Sequence, residues 1–314
     1  MPLEALQTYS PPLTRAADFD EYWQRTLAEA RQPLHLESTP IAYPVDGLSV
    51  AEVRYDGWRG ARIAGYYLAP ERGHDLPALV FYHGYSAFKG HIHEYLGWAL
   101  QGYAVLAVDV RGQSGQSTDP GPYSSGHMRG WMTQGILSPE EYYYRGAYVD
   151  CIRALDVIST QPRVNPERIG VIGGSQGGGL TLAVAALDPR PKLAMADIPF
   201  LCHFRRALEM TDRDPYQEIA AYCQRYPQRI DQVFSTLSYI DNLNLADRIR
   251  CPVLITVGLQ DLVCPPSTIF AVYNRITAPK DLAIFPFGVH EIPQAHHVEK
   301  LKAARRHLLQ QAIS

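Results

Sequence analysis

The chain has 314 residues, 46% of them hydrophobic and 19% charged. That balance excludes global disorder, and a chain of this length can bury roughly 75% of its unfolded surface in one large core. The formal charge of −3 comes from 29 basic and 32 acidic residues with neither sign gathered into a block, which gives nucleic acid or an anionic membrane nothing to hold.

The start, Met1-Pro2-Leu3-Glu4-Ala5, lacks a basic stretch followed by an apolar run, and no apolar run reaches about 18 residues. The expectation is a soluble, cytoplasmic protein. Phe19, Tyr22, Trp23 and Leu27 recur at helical spacing and predict an amphipathic helix. Residues 49–54 and 62–68 alternate around Asp56-Gly57-Trp58-Arg59-Gly60, which reads as a hairpin with a glycine-bearing turn. From Ala78 the rhythm changes. Apolar runs at 78–82, 104–108, 169–172 and 253–257 are separated by helical patterns at 142–159 and 180–187, as expected of parallel strands covered on both faces. Residues 200–249 break the alternation and read as a helical insertion, a cap or interface element over the strand ends. A helical pattern closes the chain at 298–313. We therefore expect one α/β domain over residues 1–314, with residues 1–70 forming an extension and the first strands.

The five cysteines, Cys151, Cys202, Cys223, Cys251 and Cys264, are odd in number and lack C-x-x-C spacing, so neither a disulfide framework nor a zinc site is expected. His91, His93 and Glu94 hint at a metal site, but with no further ligand set they read as polar residues at a helix start. No metal or organic cofactor is expected.

Gly173-Gly174-Ser175-Gln176-Gly177 follows a strand and precedes a helix expected to begin near Gly179. A nucleophilic serine on a strained strand-to-helix turn needs glycine neighbours so that backbone can approach closely. A phosphate loop is the weaker reading, since the Walker lysine is missing. Such a serine needs a base and an orienting acid, which in the α/β-hydrolase fold arrive in the order Ser, Asp, His. Asp261 follows the run 253–257, and His290 follows a short final strand at 282–285, so both fall beyond strand ends on the edge of the sheet where Ser175 lies. Asp197, after the run 193–196, is the competing acid. His296 and His297 read as helix surface. The oxyanion needs two aimed N–H donors. One is expected from Gln176 and the other from the loop His83-Gly84-Tyr85, where the Tyr85 side chain is an aromatic wall, a phenolic donor or simply core.

Taken together, His83-Gly84-Tyr85, Arg111-Gly112-Gln113, Gly130-Trp131-Met132, the serine motif and His290-Glu291 resemble the acetyl xylan esterase and cephalosporin C deacetylase group, carbohydrate esterase family seven. The resemblance runs from Phe19-Asp20-Glu21-Tyr22-Trp23 to the final helix. It implies a catalytic triad of Ser175, Asp261 and His290, and an oxyanion hole at Tyr85 and Gln176. It also implies hydrolysis of acetyl esters on xylooligosaccharides and cephalosporin C. One departure is Val289, where relatives often carry glycine. Arg111, Gln113 and Glu291 are expected to support the site, with Arg111 and Glu291 paired to hold the His290 loop. Tyr85, Pro199 and Phe200 are expected to close a short acyl pocket. A homo-hexamer follows partly from the resemblance and partly from the interface-type side chains of residues 1–70 and 200–249. A prolyl-oligopeptidase-type peptidase and a non-catalytic hydrolase-fold binding protein are the alternatives.

Overall fold

The computed structural model describes residues 1–291 and 294–309. Among these residues, nine strands form one sheet: β1 (Glu37–Pro40), β2 (Leu48–Asp56), β3 (Arg62–Pro70), β4 (Leu76–Tyr82), β5 (Ala104–Val108), β6 (Val164–Gly174), β7 (Pro191–Asp197), β8 (Val253–Gly258) and β9 (Lys280–Phe285). Their spatial order is β1-β2-β3-β5-β4-β6-β7-β8-β9. β1, β2 and β3 pair antiparallel, β3 meets β5 antiparallel, and every pair from β5 to β9 is parallel. The expected hairpin is β2–β3, and the short strand β1 adds an edge that the sequence did not suggest.

The continuous apolar runs are explained by burial on both faces. In β4, Ala78, Val80 and Tyr82 enter one core while Leu79 enters the other; in β5, Leu106 and Val105 divide the same way. The first core is covered by α4 (Tyr143–Ser159) and α5 (Gln176–Leu187), and α10 (Pro266–Arg275) extends it beyond β8. The second lies under α3 (Leu96–Ala99) and α11 (His297–Leu308), through Trp98, Ala304 and Leu308. The last helix therefore starts one residue before the sequence pattern did, and the expected end at Ile313 lies outside the described residues. α5 is buried nearly all round and starts at Gln176, earlier than expected. Three successive glycines weaken it locally, but packing overrides that preference.

The amino-terminal segment and the 200–249 interval pack on each other. The segment contributes α1 (Leu3–Gln7) and α2 (Phe19–Glu29); the interval contributes α6 (Phe204–Met210), α7 (Tyr216–Arg225), α8 (Ile230–Ser238) and α9 (Asn242–Leu245). Trp23, fully buried, donates its indole N–H to the Tyr239 carbonyl at 2.9 Å. The Thr14 N–H donates to Asn244 Oδ1 at 3.0 Å. His203, in the left-handed region at φ 46°, caps α6, and Tyr9 lies within hydrogen-bond reach of its Nε2.

Burial holds His203 down to about 4 from an ordinary 6.5. Between those values the unfolded chain binds the proton and the folded chain does not, so this residue's share of stability is present above about pH 6.5 and is lost as the pH falls towards about 4. Measured as the slope of unfolding free energy against pH in that window, His203→Asn should remove up to about one proton of dependence. An unchanged slope would show that another group titrates there.

Candidate active site

Strand order creates the site. The chain passes from β4 to β5 on one side and then to β6 on the other, so a crevice opens beyond the carboxyl ends of β4 and β6, the usual place for a ligand in such sheets. Ser175 leaves β6 at φ 54° and ψ −118°, a conformation that costs an L-residue of order 1–3 kcal/mol and persists only when its surroundings force it. Two glycines do the forcing. A Cβ on Gly177 would stand 2.0 Å from the Tyr82 carbonyl oxygen, and one on Gly173 would stand 2.4 Å from the Gly177 carbonyl carbon. The elbow is also tied to β7: the Ser175 N–H donates to the Asp197 carbonyl, and the Phe200 N–H donates to the Ser175 carbonyl, both at 2.9 Å.

His290 Nε2 lies 3.0 Å from Ser175 Oγ, and its Nδ1 lies 2.8 Å from Asp261 Oδ2. The other Asp261 oxygen accepts the N–H groups of Val263 and Cys264, each at 2.8 Å. A carboxylate with both oxygens accepting requires Nδ1 to carry the imidazole proton. Nε2 is then left to accept from the serine hydroxyl. Asp197, the competing acid, is occupied elsewhere: its carboxylate receives Lys300 Nζ at 2.7 Å and Thr256 Oγ1 at 3.3 Å. His296, expected on the surface, is buried beside Phe285, because it precedes α11 where the helix turns in towards the sheet.

The Cys264 thiol joins Asp261 and His290 in the one cluster of possible metal-ligand atoms among the described residues, all within 4.8 Å. Its chemistry fits a metal poorly. Burial, reinforced by the Asp261 charge, pushes the thiol well above its usual range, and both imidazole nitrogens already have protein partners. The five cysteines are free thiols, four buried and Cys223 half-buried. His91 and Glu94 form a capping box at a helix start, as expected.

Among the described residues, neither the Tyr85 nor the Gln176 backbone N–H has a protein acceptor, and both lie at the crevice. The loop carrying Tyr85 is fixed from three directions. His83 Nε2 accepts the Val110 N–H at 2.8 Å while its Nδ1 lies 2.8 Å from the Gly84 carbonyl, and burial lowers its pKa, favouring this neutral form. Gln113 accepts the Ser86 N–H at 2.9 Å and donates to Gln176 Oε1 at 2.8 Å, so it joins the loop and the helix start that bear the free donors. The Tyr85 phenol donates to Glu218 at 2.8 Å and accepts the Trp131 N–H at 2.7 Å. It is therefore turned away from the phenolic-donor role.

Glu218, on α7, was missed by the sequence reading. Besides the phenol it accepts the Met132 N–H at 3.1 Å, and a Cβ on Gly130 would meet its oxygen at 2.1 Å. Burial raises its pKa, against the hydrogen bond from Tyr85. Only the Gly130-Trp131-Met132 block hinted that something had to fit closely there.

Two expectations are corrected. Arg111 does not pair with Glu291. Its Nε and Nη2 grip the Asp150 carboxylate at 2.6 and 2.9 Å, and Nη2 also donates to the Trp58 carbonyl at 2.9 Å. Asp150 lies on α4, which runs beneath the loop after β5 and offers a buried carboxylate, whereas Glu291 is exposed and has no ion pair among the described residues. Pro199 and Phe200 are both buried, and Phe200 packs between Tyr85 and Tyr216, ring centroids 6.3 and 4.3 Å away. They back the site instead of facing open space.

The family model for acetyl xylan esterase (AXE1) matches residues 1–307. Acetyl esterase Axe7A of Xylanibacter ruminicola is 31% identical over 286 residues, an alignment covering 87% of this chain and 63% of that protein. The chain thus spans about 63% of the length of that relative. Among solved structures, an acetyl xylan esterase from Paenibacillus sp. R4 is 45% identical with a TM-score of 0.96, covering 98% of this chain and 100% of that one. Acetyl xylan esterase 1 from Thermoanaerobacterium sp. JW/SL YS485 is 36% identical with a TM-score of 0.94, covering 98% of each.

Removing one member of a buried ion pair strands the other. Asp150→Ala should lower the unfolding free energy by about 3–5 kcal/mol, while Glu291→Gln should stay within about 0.5 kcal/mol of the parent. Denaturant unfolding of both variants checks this, and the reverse ranking would restore the Arg111–Glu291 pairing.

Proposed function

The chain belongs to the acetyl xylan esterase family, and from that premise we propose that it is a serine esterase removing acetyl groups from small esters by way of an acetyl-enzyme. The observation that carries this reading is the continuous relay Asp261 to His290 to Ser175, with hydrogen-bond lengths of 2.8 and 3.0 Å, beside two free N–H donors. His290 Nε2 takes the serine proton as Oγ attacks the acetyl carbonyl. Asp261 stabilises the imidazolium, and the N–H groups of Tyr85 and Gln176 receive the oxyanion. The same imidazolium protonates the departing alkoxide, after which water, deprotonated by His290, releases acetate and restores Ser175. Arg111 and Gln113 act as supports, through α4 and through the oxyanion loops respectively.

Acetylated xylooligosaccharides and the acetoxymethyl ester of cephalosporin C are the proposed substrates, and the reading includes an acyl site closed to longer chains. A peptidase is not favoured, since the matched relatives at higher identity are esterases by name. Free thiols suit a reducing compartment, which supports a cytoplasmic location; no helix among the described residues is long and apolar enough to cross a membrane. A hexamer enclosing the sites is supported by an apolar rim around them. Leu262 follows Asp261 and is 60% exposed, and Phe287 and Val289, on the His290 loop, are 86% and 46% exposed. Such side chains are expected where a neighbouring subunit covers them.

Two measurements test these points. Ser175→Ala should keep the fold and lose about 10⁶-fold in turnover of an acetyl ester, with Asp261→Asn losing roughly 10⁴-fold. Asp197→Asn should act mainly on stability; if it proves the more damaging change to turnover, the acid is misassigned. Light scattering should report about six chains, and polymeric acetyl xylan should be a poorer substrate than its oligomers. A fully active monomer would refute the assembly, and equal activity on the polymer would refute only the enclosure.

A further inference from the structure

A second cleft lies near the site and takes no part in the chemistry above. Loop 126–129, the carboxyl end of α7 and the turn 226–229 after it border an open cleft of about 650 Å³, lined among others by Arg129, Tyr222, Arg225, Tyr226 and Arg229. In a chain of net charge −3, this is a local concentration of positive charge. Arg129 is neutralised by Asp214 at 2.7 Å. Arg225 and Arg229 have no carboxylate partner among the described residues. Their guanidinium carbons stand 5.9 and 4.6 Å from the centre of the Tyr226 ring, and Arg229 Nη1 donates to the Tyr222 hydroxyl at 2.9 Å. Cation–π contact and a neutral hydroxyl hold the side chains in place without cancelling their charge.

The cleft is coupled to the catalytic centre by one helix face. Glu218, Tyr222 and Arg225 stand at i, i+4 and i+7 on α7, so they lie along one side of it. Glu218 holds the Tyr85 phenol at the oxyanion loop. Tyr222 is then about 6 Å, and Arg225 about 10 Å, further along the helix axis. An oligosaccharide spans such a distance; a single acetylated sugar does not.

We propose that this cleft binds a carboxylate carried by the substrate, a uronic acid unit on an acetylated oligosaccharide, an inference that rests on the esterase reading. A planar guanidinium recognises a carboxylate through two parallel N–H donors, while a neutral sugar would leave both charges unmatched. Binding there fixes the chain relative to Ser175 and selects acetyl groups at a set distance from the acid.

The test is isothermal titration of the whole enzyme with a xylooligosaccharide bearing a glucuronic acid branch, and with the same oligosaccharide after conversion of its carboxyl to the carboxamide. The acid should bind at least about tenfold more tightly. That preference should shrink below about twofold in Arg225→Gln/Arg229→Gln, whose melting temperature shows whether the fold is kept, and should persist in Arg31→Gln, a change at an exposed arginine just after α2 that does not line the cleft. Equal affinity for acid and amide in the parent enzyme, or a preference that survives the double substitution, overturns the proposal. If the double variant does not fold, Arg225→Gln alone must reduce the preference, and failure to do so is equally decisive. Hydrolysis of a neutral acetyl ester is followed separately. Its absence in the parent would sink the esterase reading, while the acid–amide comparison would still judge the cleft.

Discussion

The start of α5 lies against the end of β4 so closely that a single Cβ on Gly177 would overlap the Tyr82 carbonyl. That contact forces the backbone at Ser175 into its strained geometry, because the strand-to-helix turn has no room to relax. It also brings the loop after β4 beside the first turn of α5, where N–H groups have no intrahelical acceptor. Ser175 and the free N–H groups of Tyr85 and Gln176 are thus placed by one packing constraint within the sheet, and the relay through His290 and Asp261 closes over it from β8 and β9.

Around that constraint lies a shell of polar contacts contributed by distant parts of the chain. Gln113, from the loop after β5, holds the Tyr85 loop and the start of α5 together. Glu218, from the helical interval, holds the Tyr85 phenol and the 130–132 backbone at once. Arg111 and Asp150 lock the β5 loop to α4. Each contact is directional and at least partly buried, so losing one partner leaves the other unsatisfied. The interval between β7 and β8 is therefore part of the site's support.

How much of this could be read in the sequence depended on whether the information was local. The parallel strands were legible because burial on both faces leaves uninterrupted apolar runs, and the meeting of Ser175, Asp261 and His290 was legible because each follows such a run. The boundary of α5 was not, since three glycines argue against a helix that only tertiary packing sustains. Arg111 was assigned the wrong partner because its carboxylate stands 39 positions away on another element, where no spacing rule applies. Glu218 was missed because Tyr-Gln-Glu-Ile-Ala-Ala-Tyr reads as an ordinary amphipathic helix, whose acidic residue would normally face water.

The supports of Tyr85 divide the molecule's tolerance for change unevenly. Its backbone is anchored by His83 and Gln113 to the loop after β5, whereas its ring and hydroxyl are held by Glu218 and Trp131. Substitutions on α7 can thus reshape the wall of the crevice while the N–H that would meet the oxyanion stays where the loop after β5 holds it. A lineage, or an engineer, can therefore alter what the enzyme admits separately from how it reacts, and the helical interval is the part of the chain on which such divergence would accumulate.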